Sequence, residues 1–319
     1  MSRFDNSMLP RVWAESSMKV AFIASTWKRG GRAAAALAFA ALMIAGAATG
    51  APPARRGAKR AAPDPAAQPK PLPDGVLVPD YSPGPLPFHP GEQLIYQASW
   101  IGIPAAGGKV VLHPDYANPA MLTAEIWINT NRLTDKLYRM RDYLRENFAA
   151  DSLEPAELYI RQNEGRRHDT FDVTFNHRRG VVTLIKHGPR GVQRRAFLSD
   201  NPSGPVSAAL MALSQPLAAG ETFTFDAFSG TTRYVFNLRV VRRERIGTPL
   251  GEFDAWRIVP SVSYLSDGEV NDKAHDTVLW VSADARRLPL RVESAVFIGS
   301  VRIDLVKIID GARPESAQD

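Results

Sequence analysis

The residues that could do chemistry fall in two places. His168 and Asp169 stand beside Asp172, and His275 and Asp276 follow Asp267, Glu269 and Asp272. A histidine with carboxylates can move protons, so the first group is the candidate acid–base site of an envelope hydrolase. The second group offers oxygen ligands for a divalent cation, but it lacks the fixed loop spacing of a calcium hand, and an acidic loop between strands is usually only solvated. No G-x-S-x-G, phosphate-binding loop, H-E-x-x-H or dinucleotide fingerprint occurs in the chain. With no cysteine there is no disulfide, thiolate metal site or thiol nucleophile. The expectation is a protein that is not an enzyme and uses no cofactor or metal.

The aromatic residues form a larger set. Tyr96, Trp100, Trp127, Phe171, Phe225, Phe236, Trp256 and Trp280 all sit in predicted strands. If the sheet curls, those on its concave side line either a packed core or an apolar pocket. They are the candidate ligand-binding residues, for a lipid, an apolar small molecule or the segment of an envelope protein partner.

The elements that must position them read as strands. Leu94, Tyr96, Ala98 and Trp100 alternate with Gln93, Ile95, Gln97 and Ser99, the period of a half-buried strand. Gly102 and the Gly107-Gly108 pair then allow a reversal into a second strand from Lys109 to His113. In the next strand Leu122, Ala124, Ile126 and Ile128 face one way, and Thr123, Glu125 and Trp127 the other. Residues 137–148 read as one long strand, and Phe171, Val173 and Phe175 mark another. Gly180, Gly188 and Gly191 sit in turns. One helix stands out: Pro205 opens it, and Val206, Ala209, Leu210 and Leu213 recur at helical spacing up to Ser214. Strands resume near Gly220 and continue to Ile309.

The predicted fold is therefore mostly β: a single strongly curved antiparallel sheet, an open or nearly closed barrel, with one short helix plugging or capping it. A meander of about a dozen strands must curl to limit its exposed edges.

The ends of the chain read differently. Basic residues precede an Ala-rich apolar run at 33–48, and small residues follow it. Residues 1–50 are the predicted export signal, with Met18 as an alternative start, which places the mature protein in the periplasm. The alternative is an uncleaved anchor at 33–48 in the inner membrane. Residues 51–87 form a predicted disordered linker; twelve of the 25 prolines fall within 51–90. The β domain spans 88–310, and 311–319 form a disordered tail.

Charge supports that division. The chain carries a formal +6, with six Lys/Arg against two Asp/Glu in residues 1–50, five against three in 51–90, and 28 against 28 in the remainder. A nucleic-acid binder would keep its basic excess in the folded domain. The terminal residues carry no closing aromatic strand, and charged residues occupy both faces of many predicted strands, so an outer-membrane barrel is not expected.

Several of these stretches combine into a resemblance. Gly91-Glu92 leading into Leu94, Tyr96 and Trp100, the run Gly251-Glu-Phe-Asp-Ala-Trp256, the run Trp280-Val-Ser-Ala-Asp284-Ala-Arg-Arg-Leu-Pro289, and Gly299-Ser300 resemble the domain of unknown function 3108 family of bacterial envelope proteins. The resemblance covers about Phe88 to Asp310. It implies an exported, mostly β domain and carries over no catalytic residue.

Overall fold

The computed structural model describes residues 72, 76–86, 88–266, 269–273, 277–295 and 299–310, without the side chains of 264–266 and 269–273. The readings made for residues 1–71 and 311–319 lie outside the described residues, as do the side chains of the acidic group from Asp267 to Asp276.

Alternating apolar residues build the first half as a meander. It comprises β1 (Gln93–Trp100), β2 (Ile103–Pro114), β3 (Met121–Thr130), β4 (Arg141–Ala149), β5 (Pro155–Glu164), β6 (Arg167–Asn176), β7 (Val181–Gly188) and β8 (Gly191–Leu198). A one-turn helix, α1 (Arg132–Asp135), lies between β3 and β4. The two-residue β9 (Pro202–Ser203) leads into α2 (Pro205–Ser214). The second half holds β10 (Thr222–Ser229), β11 (Thr232–Thr248), β12 (Gly251–Ser266), β13 (Glu269–Lys273), β14 (Thr277–Ser282), β15 (Pro289–Ala295) and β16 (Ser300–Ile309).

All sixteen strands join one sheet. The last strand pairs with the first, so the order runs β8 back to β1, then β16, β15, β14, β12, β11, β10 and β9, with β13 on the far end of β12. Pairing is antiparallel except between β9 and β10, where two residues run parallel. Strict alternation turns one row of β1, β3, β4 and β6 into the concave core: Leu94 and Tyr96, then Ala124 and Ile126, then Leu144 and Phe148, then Phe171 and Val173 are all buried.

The sheet curls but its ladder does not close. Edge strand β8 faces the β10–β11 hairpin through side chains. Phe197 and Phe175 lie 5.7 and 6.2 Å from Phe228, ring centre to ring centre. Arg195 Nη1 donates to the Thr231 carbonyl at 3.1 Å. The predicted barrel-like sheet is thus present, with a seam held by rings and one buried ionic cluster.

Residues 137–139 depart from the predicted long strand. The Leu137 and Tyr138 amides donate back to the Thr134 carbonyl at 2.9 and 2.8 Å, so the chain is still leaving α1 there, and β4 begins at Arg141.

Helix α2 occupies the concave side of the sheet. Nine of its ten residues are buried, so it has no solvent face. A helix apolar all round belongs in an interior.

Candidate functional site

The helix is held at its N-terminus by a strand residue sixty positions earlier. Gly204 at the N-cap has no side chain to cap the helix. Glu146, fully buried on β4, does so instead: its Oε2 accepts the Val206 amide at 2.7 Å and its Oε1 the Ser207 amide at 3.0 Å. A carboxylate suits that place, because the first amides of a helix lack partners and the dipole is positive there. Burial nevertheless pushes the Glu146 carboxyl above the usual range, with the hydrogen bonds from Ser207 and Val206 acting against that shift. A Cβ on Gly204 would overlap the Glu146 carboxylate, so a side chain there would displace it from the helix amides.

The other end of α2 is covered by residues 76–86, a stretch predicted to be linker. Gly84 donates its amide to Ser214 Oγ at 3.1 Å, and Gln215 Nε2 donates to the Ser82 carbonyl at 2.9 Å. Tyr81 packs 5.2 Å from Phe225 and 6.1 Å from Phe223, and its hydroxyl accepts the Thr224 amide at 2.9 Å.

Between α2 and strands β1–β3 lies a cavity of about 60 Å³. Its walls include Leu94 and Tyr96 from β1, Leu112 from β2, Ala124 from β3, and Ala209 and Leu210 from α2, with Phe88 beside them. Among the described residues Glu92 is the one charged member of the lining. Glu92 is buried and pairs with Arg286 of the β14–β15 turn. Tyr96 donates its hydroxyl to the Pro289 carbonyl at 3.0 Å; burial, then the Glu92 charge, raise its pKa. A second, polar cavity of about 210 Å³ lies under residues 78–83, between Ser152–Pro155, His177 and Asp200–Ser203.

The eight candidate aromatic residues divide by face. Tyr96 lines the apolar cavity, and Phe171, Phe225 and Phe236 are buried in the core. Trp100, Trp256 and Trp280 are half-buried against that core. Trp127 is also half-buried, and both it and Trp280 meet charged side chains. Lys109 Nζ sits 4.1 Å from the Trp127 ring centre, and the Tyr143 ring, tilted by 46°, lies 5.5 Å from it. Trp280 Nε1 donates to Glu244 Oε1 at 2.6 Å.

The acid–base group does not converge. Asp169 is buried in the inward row with Phe171, held by Arg167 Nε at 2.6 Å and Lys186 Nζ at 2.8 Å. Asp172 and His168 belong to the opposite row. Asp172 meets His187 at 3.3 Å, and His168 Nδ1 meets Asn163 at 3.0 Å. Among the described residues no group of three metal-ligating side chains gathers.

Two clusters were not singled out from sequence. Arg233 and Asp226, both buried, form a two-pronged pair at 2.7 and 2.6 Å, and Ser199 Oγ donates to Asp226 Oδ2 at 2.5 Å. Asp142 on β4 is buried near Glu164, and burial followed by the Glu164 charge pushes its carboxyl up to about 8.

Comparison with known proteins returns a family. The pattern of the family described as Protein of unknown function (DUF3108) matches residues 95–306, from β1 into β16. This chain belongs to that family. The DUF3108 match takes in the walls Tyr96, Leu112, Ala124, Ala209 and Leu210, and Arg286, while Phe88, Glu92 and the segment over α2 precede it. No curated protein matches the chain.

Solved structures similar to this DUF3108 chain include a β-barrel-like protein of domain of unknown function DUF1849 from Brucella abortus. It is 11% identical over 68% of this chain and 96% of that one, with a TM-score of 0.46. A protein from Bacteroides fragilis described as exported, with a YmcC-like fold, is 10% identical over 72% and 100%, with a TM-score of 0.34. A protein from Parabacteroides distasonis described as a lipoprotein is 8% identical over 71% and 99%, also at 0.34.

Proposed function

We propose that this chain is an exported, non-catalytic binding module of the bacterial cell envelope that receives the apolar part of a lipid-like molecule beside α2. The observation that carries the reading is the cavity between α2 and β1–β3, walled by aliphatic side chains and bordered by Phe88. Such pockets are lined mainly by apolar groups, with a few polar ones that fix orientation. The cavity is small. At about 10–15 Å³ per water-sized sphere it takes roughly four to six such spheres. It fits the end of an alkyl chain, with the rest running outward past Phe88.

The charge balance agrees. The predicted signal and linker hold the whole basic excess, and residues 91–319 are neutral, which suits a periplasmic protein with no nucleic-acid partner. The candidate hydrolase residues His168, Asp169 and Asp172 occupy opposite faces of β6, which disfavours a shared catalytic step.

Native mass spectrometry of the protein purified gently from its host, with lipid extraction alongside, tests the reading. A co-purifying alkyl-bearing molecule is expected. A bare protein that also binds no added alkyl amphiphile would overturn it.

A further inference from the structure

One end of the sheet turns large apolar side chains to solvent. The β1–β2, β3–β4, β5–β6 and β7–β8 connections all lie there, where Trp100 pairs with Ile103, Asn129 with Arg141, Glu164 with Arg167 and Gly188 with Gly191. Ile101 and Ile103 are 54% and 59% exposed at the tip of the first hairpin, and Leu133 is 62% exposed on α1. These are neighbours in space. The Asn131 side chain donates to the Pro104 carbonyl at 2.6 Å and its amide to the Ala105 carbonyl at 3.0 Å, which seats α1 against the start of β2. Ile101 also has a φ of +50°, a left-handed backbone that a β-branched residue rarely adopts and that a two-residue hairpin usually gives to Asn, Asp or Gly. Its exposed half gains nothing from packing to offset that. Grouped apolar side chains in solvent mark an interaction surface. Cations share this end: Arg132, Lys136, Arg139, Arg166 and Arg190 are exposed in the same connections. Asp135 is the one carboxylate within them, and Arg141 holds it at 2.5 Å. Glu164, at the end of β5, accepts the Tyr138 hydroxyl at 3.0 Å. Asp267, which opens the acidic stretch, follows β12, and β12 stands four strands round the sheet from β1.

We propose that this end of the sheet is a membrane-docking face: Ile101, Ile103 and Leu133 enter the headgroup–acyl boundary of a bilayer that contains anionic lipid, and the cations beside them meet its phosphates. This goes beyond the proposed function and does not depend on the cavity, which is lined by the opposite half of β1 with Glu92 and Phe88. An interfacial contact uses both features, since apolar area gives burial and Lys and Arg give attraction to negative lipid. The cations decide the occupant. They are spread over successive connections, wider than a small ligand spans, and a uniformly negative surface meets them all without a fixed register. Docking here leaves the Phe88 end of β1 away from the bilayer.

The chain has no cysteine, so single labelled sites test this in the full chain. Ile103→Cys, Leu133→Cys and Tyr116→Cys each receive an environment-sensitive fluorophore; Tyr116 is exposed in the β2–β3 connection, at the opposite end of the sheet. Vesicles of equal parts phosphatidylglycerol and phosphatidylcholine are expected to shift the emission at positions 103 and 133 to the blue and to leave position 116 unchanged. That contrast separates docking through this face from contacts made elsewhere in the chain. Added salt screens the cations and is expected to weaken the response. With the label at position 133, Arg139→Gln is expected to weaken vesicle affinity roughly fivefold. Ile101→Asn is expected to weaken it by roughly the same factor through lost apolar burial. Asn accepts the left-handed backbone, so this variant is expected to melt no lower than the wild type while binding more weakly, which a purely structural role for Ile101 would not produce. No shift at 103 or 133, or equal shifts at all three positions, would overturn the proposal, as would vesicle affinity unchanged in both variants. An equal response to phosphatidylcholine alone would overturn the assignment to anionic lipid. A shift that appears on concentrating the protein, and that vesicles do not alter, would give the face to a second copy of the chain and overturn it too.

Discussion

Glu146 on β4 and Val206 at the start of α2 are joined by a 2.7 Å hydrogen bond between a buried carboxylate and a backbone amide. With the bond to Ser207 it ties the central helix to the middle of the meander. Removing it leaves two buried helix amides without their acceptor. Glu146→Ala is expected to lower stability by about 2 kcal/mol or more. For a domain of this size that is a fall of roughly 4–8 °C in melting midpoint, read by calorimetry. Gly204→Ala, which drives a methyl into the same carboxylate, is expected to move the midpoint in the same direction. A Gly204→Ala protein melting with the wild type would show that the close approach is not needed.

The Asp226–Arg233 pair makes a different prediction. Both groups are buried, so each depends on the other for its charge to be tolerated. Arg233→Ala strands a carboxylate whose pKa burial already raises, and is expected to cost about 3–5 kcal/mol. Replacing both members with apolar residues of similar volume removes the stranded charge and is expected to recover most of that loss. Urea unfolding of the single and double variants measures the difference. A double variant as unstable as Arg233→Ala would mean that Ser199 and the neighbouring rings need the pair itself at the seam.

Much of the architecture was legible because a strand with one buried face writes its period into the chain. Leu94 and Tyr96, Ala124 and Ile126, and Phe171 and Val173 all point where their alternation places them. Pro205 and the apolar spacing after it located α2. The candidate lining was less legible, because aromatic type does not reveal phase. Trp127 alternates with the core residues Ile126 and Ile128, and that phase puts it beside Lys109 and Tyr143. Glu146 stands in the inward phase with Leu144 and Phe148. A carboxylate there has no reason in the local sequence, since the amides it serves are sixty residues away. Arg233 and Asp226 were hidden in the same way, on adjacent strands of one hairpin, each opposite an apolar residue, Phe228 and Val235, in an otherwise apolar stretch. The prolines among residues 76–86 imply a linker, yet Tyr81 and Gly84 make specific contacts that composition does not reveal.

Asp142 gives the pH prediction. Its carboxyl titrates near 8 in the folded protein, and near 4 when unfolded. Between those values the native state holds a proton that the unfolded state has released. Stability therefore falls as pH rises from about 4 to about 8 and levels off above, at up to about 1.4 kcal/mol per pH unit. Asp142→Asn keeps a neutral group beside Glu164 and the acceptor for the Asn163 amide, which lies 2.8 Å from Asp142 Oδ1. The variant is expected to lose most of the downward slope over that range in denaturant unfolding at several pH values. A slope the same as that of the wild type would mean that Asp142 is already ionised in the native state.

Tyr81 tests whether the segment over α2 belongs to the folded unit. Its ring covers Phe223 and Phe225, and its hydroxyl is the acceptor for the Thr224 amide on β10. Tyr81→Phe keeps the ring and removes the acceptor, for an expected cost of about 1 kcal/mol. Tyr81→Ala also uncovers the two phenylalanines and opens space beside them, for about 3 kcal/mol or more. The two losses differ in kind, so hydrogen exchange separates them: the Thr224 amide is expected to lose protection in both variants, while the amides of α2 lose it only in Tyr81→Ala. If Tyr81→Ala leaves the α2 amides as protected as in the wild type, the helix is held by the barrel and Glu146 alone, and residues 76–86 only rest on it.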